Sequence, residues 1–473
     1  MQHSNRIVLP FFLAFFSGYL TAQEDIGSIT VLYTNDEHGW MEGMNENQGA
    51  ANLYQLWQDQ EGYSEAGAFL VLSGGDNWTG PAISTWVNGE SMVEVMNAMH
   101  YDASAIGNHE FDFGLDALQA RTSEANFPYL SANTRWQNDG RVPQNLGILP
   151  YTITEVDGIS IGIIGLTTLD TPYTTNPVNV SELAFINYET AVRETMPAIT
   201  DTDLQFIIAH VCMQEMESLL LSIRDLGIDM AGGGHCNELV AKKVSDTILL
   251  GGGFHFTSYA RVSFTVDRDT SEIISTDFAT TRNRDAQASH VIADIVAKWS
   301  SESAEILQEV LGWNPSRLPQ GIVLDQVIID SWLEAYPDAD VAVTNRGGIR
   351  TALPEGEVTV SDVVNILPFD NTIIAARVSG RVIAQALEDG GRPVVAGIRK
   401  REGRWEFTKN GEQLLNNQEY TLLLNSFMYA GGDNFSAIAE ADPNAFDTGV
   451  NYRQPFVDWL RQTESSAEKP IRF

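Results

Sequence analysis

The sequence predicts an α/β protein of two units joined by a helix, and three observations carry that expectation. From Asp25 onward, short apolar runs alternate with stretches whose apolar residues recur at helical spacing. Those runs end repeatedly in clusters of Gly, Asp, Asn and His. A helical pattern over 286–308 then separates this region from a second one of mixed composition. At 473 residues the chain exceeds what one hydrophobic core supports. The expected division is a first unit at 25–285, a linker helix at 286–311 and a second unit at 312–473.

Residues 28–34 read as a strand closed by Asn35, Asp36, Glu37, His38 and Gly39. Residues 50–60 read as a helix. The continuous apolar run 68–72 fits a strand buried on both faces, and it ends in Ser73, Gly74, Gly75 and Asp76. A helix at 91–99 turns Met92, Val95, Met96 and Met99 inward, a methionine stripe suited to core filling. The run 103–106 leads into Gly107, Asn108, His109, Glu110, Phe111 and Asp112, with a helical pattern from Leu115. Strands follow at 129–133 and 159–166, the second with Gly162 and Gly165 permitting close packing. The run 204–209 ends at His210, a helix covers 216–226, and the strand 228–231 ends in three glycines, His235, Cys236 and Asn237. The run 248–250 precedes another glycine cluster, and 260–266 with 273–279 read as antiparallel strands closing the unit. In the linker, Ile292, Ile295, Val296, Trp299 and Ile306 fall near helical spacing. Beyond it come a helix at 323–336, a strand at 339–344 ending in Asn345, Arg346, Gly347, Gly348, Ile349 and Arg350, a helix at 378–389, and a strand at 419–424 leading to Phe427 and Asp433.

Asp and Glu number 63 against 28 Lys and Arg, a formal net charge of −35. Such a polyanion does not bind a nucleic-acid polymer through a general basic surface. A phosphorylated ligand would need local cations, either metal ions or a few placed arginines. The N-terminus has the pattern of an export signal over 1–22: Arg6, an apolar stretch over 7–20, then Thr21 and Ala22. The apolar stretch is short for a membrane span, although Leu20 fits a cleavage site poorly and leaves an uncleaved anchor as the alternative. The expected location is a periplasm or the outside, with no stable membrane span after cleavage. Two cysteines, Cys212 and Cys236, exclude a disulfide framework and allow at most one bridge.

Asp36, His38, Asp76, Asn108, His109, His210, His235 and Asn237 share one context: each follows an apolar strand beside Gly or another turn residue. A single loop histidine is usually an ordinary surface residue. Five strand ends carrying the same residue types differ, because parallel strands bring their ends to one edge of the sheet. Imidazole with carboxylate and amide oxygens suits Mn²⁺, Zn²⁺, Fe or Co²⁺. The ligands outnumber the needs of one ion, and two divalent ions bridged by one carboxylate would use them all.

The blocks from Thr34 to Gly39, from Gly74 to Asp76 and from Gly107 to Asp112, with His210 and with Gly234 and His235, resemble the calcineurin-like metallophosphatases of the secreted 5′-nucleotidase and UDP-sugar hydrolase family. The resemblance implies a four-layer αββα metallophosphatase sandwich, then a linker helix and an α+β C-terminal domain that binds substrate. It implies that Asp36, His38 and the Asn237 position hold one metal, that Asp76 bridges, and that Asn108, His210 and His235 hold the other. His109, held by Asp112, would face the phosphate. Asn237 stands where the family usually has His or Gln, and its arm is one methylene shorter than that of Gln. Cys212 lies two residues after His210 and Cys236 directly follows His235, so on this resemblance the two are neighbours; free thiols are the expectation and a disulfide the alternative.

In the second unit the same resemblance gives Arg350 the substrate phosphate, where a guanidinium fork suits paired oxygens. Arg346 is either a second clamp or an exposed charge. Phe427 matches a base-stacking aromatic, and Asp433 matches a ribose or base contact. Val395 and Gly397 fall where the family has a second stacking Phe and an Asn, so half of the base clamp is expected to be missing. The expected activity is metal-dependent hydrolysis of the phosphate monoesters of extracellular nucleotides, with nucleotide-sugar diphosphates as a further substrate class. The alternatives are a secreted phosphatase or phosphodiesterase of relaxed specificity and a non-catalytic surface binding protein on the same scaffold.

Overall fold

A computed structural model describes residues 25–45 and 47–473; the segment read as an export signal lies outside the described residues. Two sheets face each other in the first unit. In the first sheet, Ile26–Thr34, Phe69–Ser73, Ala103–Ala105, Tyr129–Leu130 and Ile148–Leu149 run parallel as neighbours, and Ser258–Asp267 and Glu272–Arg282 extend it antiparallel beyond Ile26–Thr34. In the second, Thr247–Gly252, Met230–Gly232, Leu204–His210 and Ile159–Thr167 are parallel, flanked by antiparallel Leu239–Val244 and Tyr151–Val156.

Alternation along each strand explains why these runs are apolar throughout. Successive side chains point to opposite faces of a sheet. Val31 and Tyr33 therefore enter the core between the sheets, with Leu70, Leu72, Ile161, Ile163, Phe206 and Ile208. Leu32 and Val71 instead meet an outer helical layer that includes Ala50–Leu56, Glu90–Ala98 and the linker helix His290–Leu307. On the far side, Ile164 and Ile207 meet Tyr188–Thr195 and Met213–Ser222. The layers are thus helix, sheet, sheet, helix, as expected. Gly162 and Gly165 sit where a Cβ would collide with Ile199 and with the backbone of Leu130, so the close packing inferred for them is real.

Several boundaries differ from expectation. The helix expected over 50–60 is α-helical only to Leu56 and continues as a π-helical turn, Trp57–Glu61. The helix expected from 216 begins three residues earlier, at Met213. The strand expected over 129–133 stops at Leu130, because the side chain of Asn133 binds both the N–H and the carbonyl of Thr167 at 2.8 Å and replaces the ladder. The helix expected over 378–389 begins at Gly380. Val378 and Ser379 close a strand, Thr372–Ser379, and Ser379 caps the helix that follows.

The second unit holds a five-stranded sheet in the order Val394–Ala396, Val341–Thr344, Glu419–Asn425, Thr372–Ser379 and Phe446–Asn451. Alternation again feeds two cores: Ala342 packs with Leu324, Ile328 and Trp332, while Val341 and Val343 pack with Ile383, Leu387 and Met428. The linker helix is tied to the first unit through Ile292 and Trp299 and through Glu94, whose Oε2 accepts from Lys298 Nζ and Trp299 Nε1 at 2.8 Å. The units meet directly where Ala82 and Leu307 pack on Val364 and Ala82 N donates to Asn365 Oδ1 at 2.7 Å. Among the described residues no helix is long and apolar enough to cross a membrane.

Candidate functional site

The parallel strand ends of both sheets open at one edge, and the second unit covers it. The resulting cleft, about 310 Å³, is lined by Asp36, His38, Asp76, Asn108, His109, Asp112, His235 and Asn237 from the first unit and by Arg350, Phe427 and Asp433 from the second. His210 is fully buried beneath it, with Nε2 2.8 Å from Asp76 Oδ2 and 3.2 Å from His235 Nδ1. Arg346, a candidate from the same reading, lies outside this cluster: it borders adjoining hollows, half-exposed, with Nε 3.6 Å from Asp325 Oδ2.

Six of these residues, Asp36, His38, Asp76, His235, Asn237 and Asp433, have positive φ, between 46° and 70°. Side chains other than glycine rarely take this conformation, and its cost is tolerated mainly at functional sites. Each loop is held by bonds from distant parts of the chain. Asn35 donates to Asp36 Oδ2 at 2.6 Å and to Gly253 O at 2.8 Å, and accepts from Gly252 N at 2.6 Å. Glu110, fully buried, accepts from the N–H groups of Asp76, Asn77 and Gly107 at 2.9, 2.7 and 2.7 Å and so locks two strand-end loops together. His38 Nδ1 lies 3.0 Å from Thr79 O and His210 Nδ1 lies 2.8 Å from Gly74 O, which turns both Nε2 atoms into the cluster.

Two groups of donor atoms share Asp76: His38, Asp76 and His109, and Asp76, His210 and His235, with the ligand atoms of each group within 4.8 Å of one another. His38 Nε2 is also 3.8 Å from Asp36 Oδ1. The residues fit a pair of divalent ions. Asn108 Oδ1 is buried with no hydrogen-bond partner among the described residues, an arrangement proteins avoid unless something else satisfies the oxygen. Burial raises the Asp36 carboxyl to about 6, with His210 opposing the rise and Asp76 adding to it. Burial lowers His235 to about 4, helped by His210. A neutral imidazole such as His235 is the donor state a cation selects.

His109 belongs to the first of these groups but differs from the other histidines in its partner. Its Nδ1 is 2.6 Å from Asp112 Oδ2, and Asp112 is fixed in turn by Thr175 Oγ1 at 2.8 Å. Burial works against a charged His109, yet the carboxylates of Asp112 and Asp76 outweigh it and raise its pKa. Its Nε2 faces the cluster, 4.0 Å from Asp76 Oδ2. From the second unit, Phe369 stacks on the His109 ring with centroids 5.7 Å apart and planes at 22°, and the Arg350 guanidinium lies 5.8 Å from the Phe369 centroid.

Three expectations need correction. The cysteines are not free: Cys212 and Cys236 form a disulfide, with Cα atoms 5.2 Å apart, that ties the loop after His210 to the loop carrying His235. The positions read as the lost half of a base clamp do not face the cleft. Val395 lies on an edge strand over a separate hollow with Asp325 and Trp405, and Gly397 has φ +84° with the Asp340 carbonyl filling the place of a side chain. Finally, Phe369, Asn35, Glu37 and Glu110 were not singled out. Glu37 is buried and accepts from Phe256 N. Asn35, Glu37 and Glu110 sit inside the motif blocks themselves, so their position between ligands was the available signal. Phe369 had only its place in the turn cluster Pro368, Phe369, Asp370 and Asn371.

An αββα sandwich with a dicarboxylate and imidazole cluster at its strand ends defines a metallophosphatase-type scaffold. Comparison with known proteins narrows this. Residues 273–440 match the family model of the 5′-nucleotidase C-terminal domain. A 5′-nucleotidase of Vibrio parahaemolyticus is 27% identical over 91% of this chain and 89% of its own length. The trifunctional nucleotide phosphoesterase of Bacillus subtilis is also 27% identical over 93% of this chain, which spans about a third (34%) of that longer protein. The crystal structure of a 5′-nucleotidase precursor from Thermus thermophilus superposes with a TM-score of 0.80 at 23% identity, covering 94% of this chain and 97% of that one. The family these findings support is that of the 5′-nucleotidases.

Proposed function

We propose that this protein is an exported phosphohydrolase that uses two divalent metal ions to hydrolyse the phosphate monoesters of nucleotides, with nucleotide-sugar diphosphates as a further class. The observation that carries the reading is the meeting, in one cleft, of the Asp76-centred donor cluster, the His109–Asp112 pair and Arg350 with Phe427. In this reading residues 25–285 hold the metals and residues 312–473 hold the substrate, with 286–311 between them. Asp36, His38 and Asn237 would bind one ion, Asn108, His210 and His235 the other, and Asp76 both. The ions would supply Lewis acidity to the phosphoryl oxygens and activate water at neutral pH.

The chain's own residues do the rest. Arg350 engages the phosphate, Phe427 the base and Asp433 the ribose or base. Water attacks phosphorus and releases a proton to solvent, the bond to the leaving oxygen breaks, and His109 delivers a proton from Nε2 to that oxygen and regains one from solvent. Asp112 holds Nδ1 so that Nε2 carries this proton. Phe369 packs on the imidazole from the substrate side of the cleft.

The test is product release from AMP, UMP, UDP-glucose and a plain aryl phosphate, each with Mn²⁺, Co²⁺ or Zn²⁺ and with a chelator. Turnover that favours the nucleotides and stops with chelator is expected. Equal turnover of the aryl phosphate would favour the relaxed phosphatase, and inertness on all four with metals bound would overturn the enzymatic reading.

A further inference from the structure

The cleft contains one aromatic side chain without a task. Tyr173, on the short helix Thr171–Thr174, lines the same cleft as Phe427 and Asp433 and is 62% exposed. Its ring and hydroxyl have no partner among the described residues. The helix is placed firmly: Thr174 O accepts from Asn108 Nδ2 at 3.3 Å, and the following Thr175 bonds Asp112. It also lies against the turn Gly432–Asn434 that carries Asp433. Phe427 is fixed on one side by Gly432, where any Cβ would strike its ring. Two aromatic rings, one from each unit, thus line the same cleft.

We infer that Tyr173 is the second half of the base clamp: a nucleobase lies between Tyr173 of the first unit and Phe427 of the second. This rests on the nucleotide reading above. It replaces the expectation that half of the clamp is missing, since the two positions thought to show that loss do not face the cleft. An aromatic face left in water at a cleft mouth gains by stacking on a flat heterocycle, and any base offers such a face. Because the rings belong to different units, the clamp is complete only when the units are together. Base recognition and the approach of Arg350 and Phe369 to His109 then occur in one closure.

The experiment measures adenosine binding by calorimetry to the metal-loaded wild type, Tyr173→Ala and Tyr173→Phe. Adenosine has no phosphate, so it reads the clamp even if the protein hydrolyses no ester. Loss of stacking on one face weakens binding about tenfold in Tyr173→Ala, while Tyr173→Phe, which keeps the ring, retains it. The ratio of kcat/KM for AMP to that for ribose 5-phosphate falls by the same factor in Tyr173→Ala and recovers in Tyr173→Phe. Adenosine binding unchanged in Tyr173→Ala overturns the inference and leaves the phosphohydrolase reading standing. An equal fall for AMP and ribose 5-phosphate also overturns it, since that marks general damage to the cleft.

Discussion

His109→Ala lowers kcat for AMP by about 10²–10⁴-fold, the usual contribution of a positioned general acid. At 1.36 kcal/mol per tenfold this is about 3–5 kcal/mol of transition-state stabilisation. The loss is smaller for 4-nitrophenyl phosphate, whose leaving oxygen needs little help from a proton. Bound metal stays at the wild-type level, because Asp112 holds His109 at Nδ1 and the donors Asp36, Asp76, Asn108, His210 and His235 remain. Kinetics on both esters with metal analysis of the same samples checks this. A parallel loss of metal would mean that His109 is a ligand through Nε2, which its place in the group with His38 and Asp76 allows. The same drop for both esters would mean that it stabilises charge on the phosphoryl group rather than protonating the leaving oxygen.

Asp76→Asn reaches the metals as well as turnover, since Asp76 is the residue both donor groups share. Its Oδ1 accepts the His109 N–H at 2.9 Å and its Oδ2 lies 2.8 Å from His210 Nε2. The amide keeps the shape and loses the charge. His210, which Asp76 holds up to about 9 against the opposing effect of burial, loses its main partner. Metal content is expected to fall below two ions per chain, and turnover to fall by at least about 10³-fold, on the order of 4 kcal/mol. The fold persists, because the loop retains the two bonds from Glu110 to the Asp76 and Asn77 N–H groups. Circular dichroism with metal analysis separates loss of metal from loss of structure. Two ions still bound in Asp76→Asn would contradict a bridging role.

The parts of this arrangement that are legible in the sequence are those written locally. Each ligand loop follows an apolar run whose alternation feeds two cores, so strand, turn and donor residue appear together within a dozen positions. The four layers are instead what the family resemblance implies, and the two facing sheets with their outer helices bear them out. Contacts that join distant segments are not written this way. Asn35 meets Gly252 across 217 positions, and nothing near either residue marks the pairing. Phe369 reaches His109 only because the units close on each other. The disulfide depends on two loops converging at the sheet edge, and proximity to histidines in sequence could not fix that geometry. Val395 shows the reverse error: a match of sequence pattern placed it in the cleft, but strand pairing with Val343 turns it toward another hollow.

Metal stoichiometry followed against turnover decides whether this cleft works with two ions. The purified protein is stripped with chelator, and Mn²⁺, Co²⁺ or Zn²⁺ is titrated back while bound metal and AMP hydrolysis are followed together. No turnover is expected in the stripped protein and full turnover only as the second equivalent binds, with two ions retained per chain. Full turnover in metal-free protein, or saturation of activity at a single ion, would contradict it.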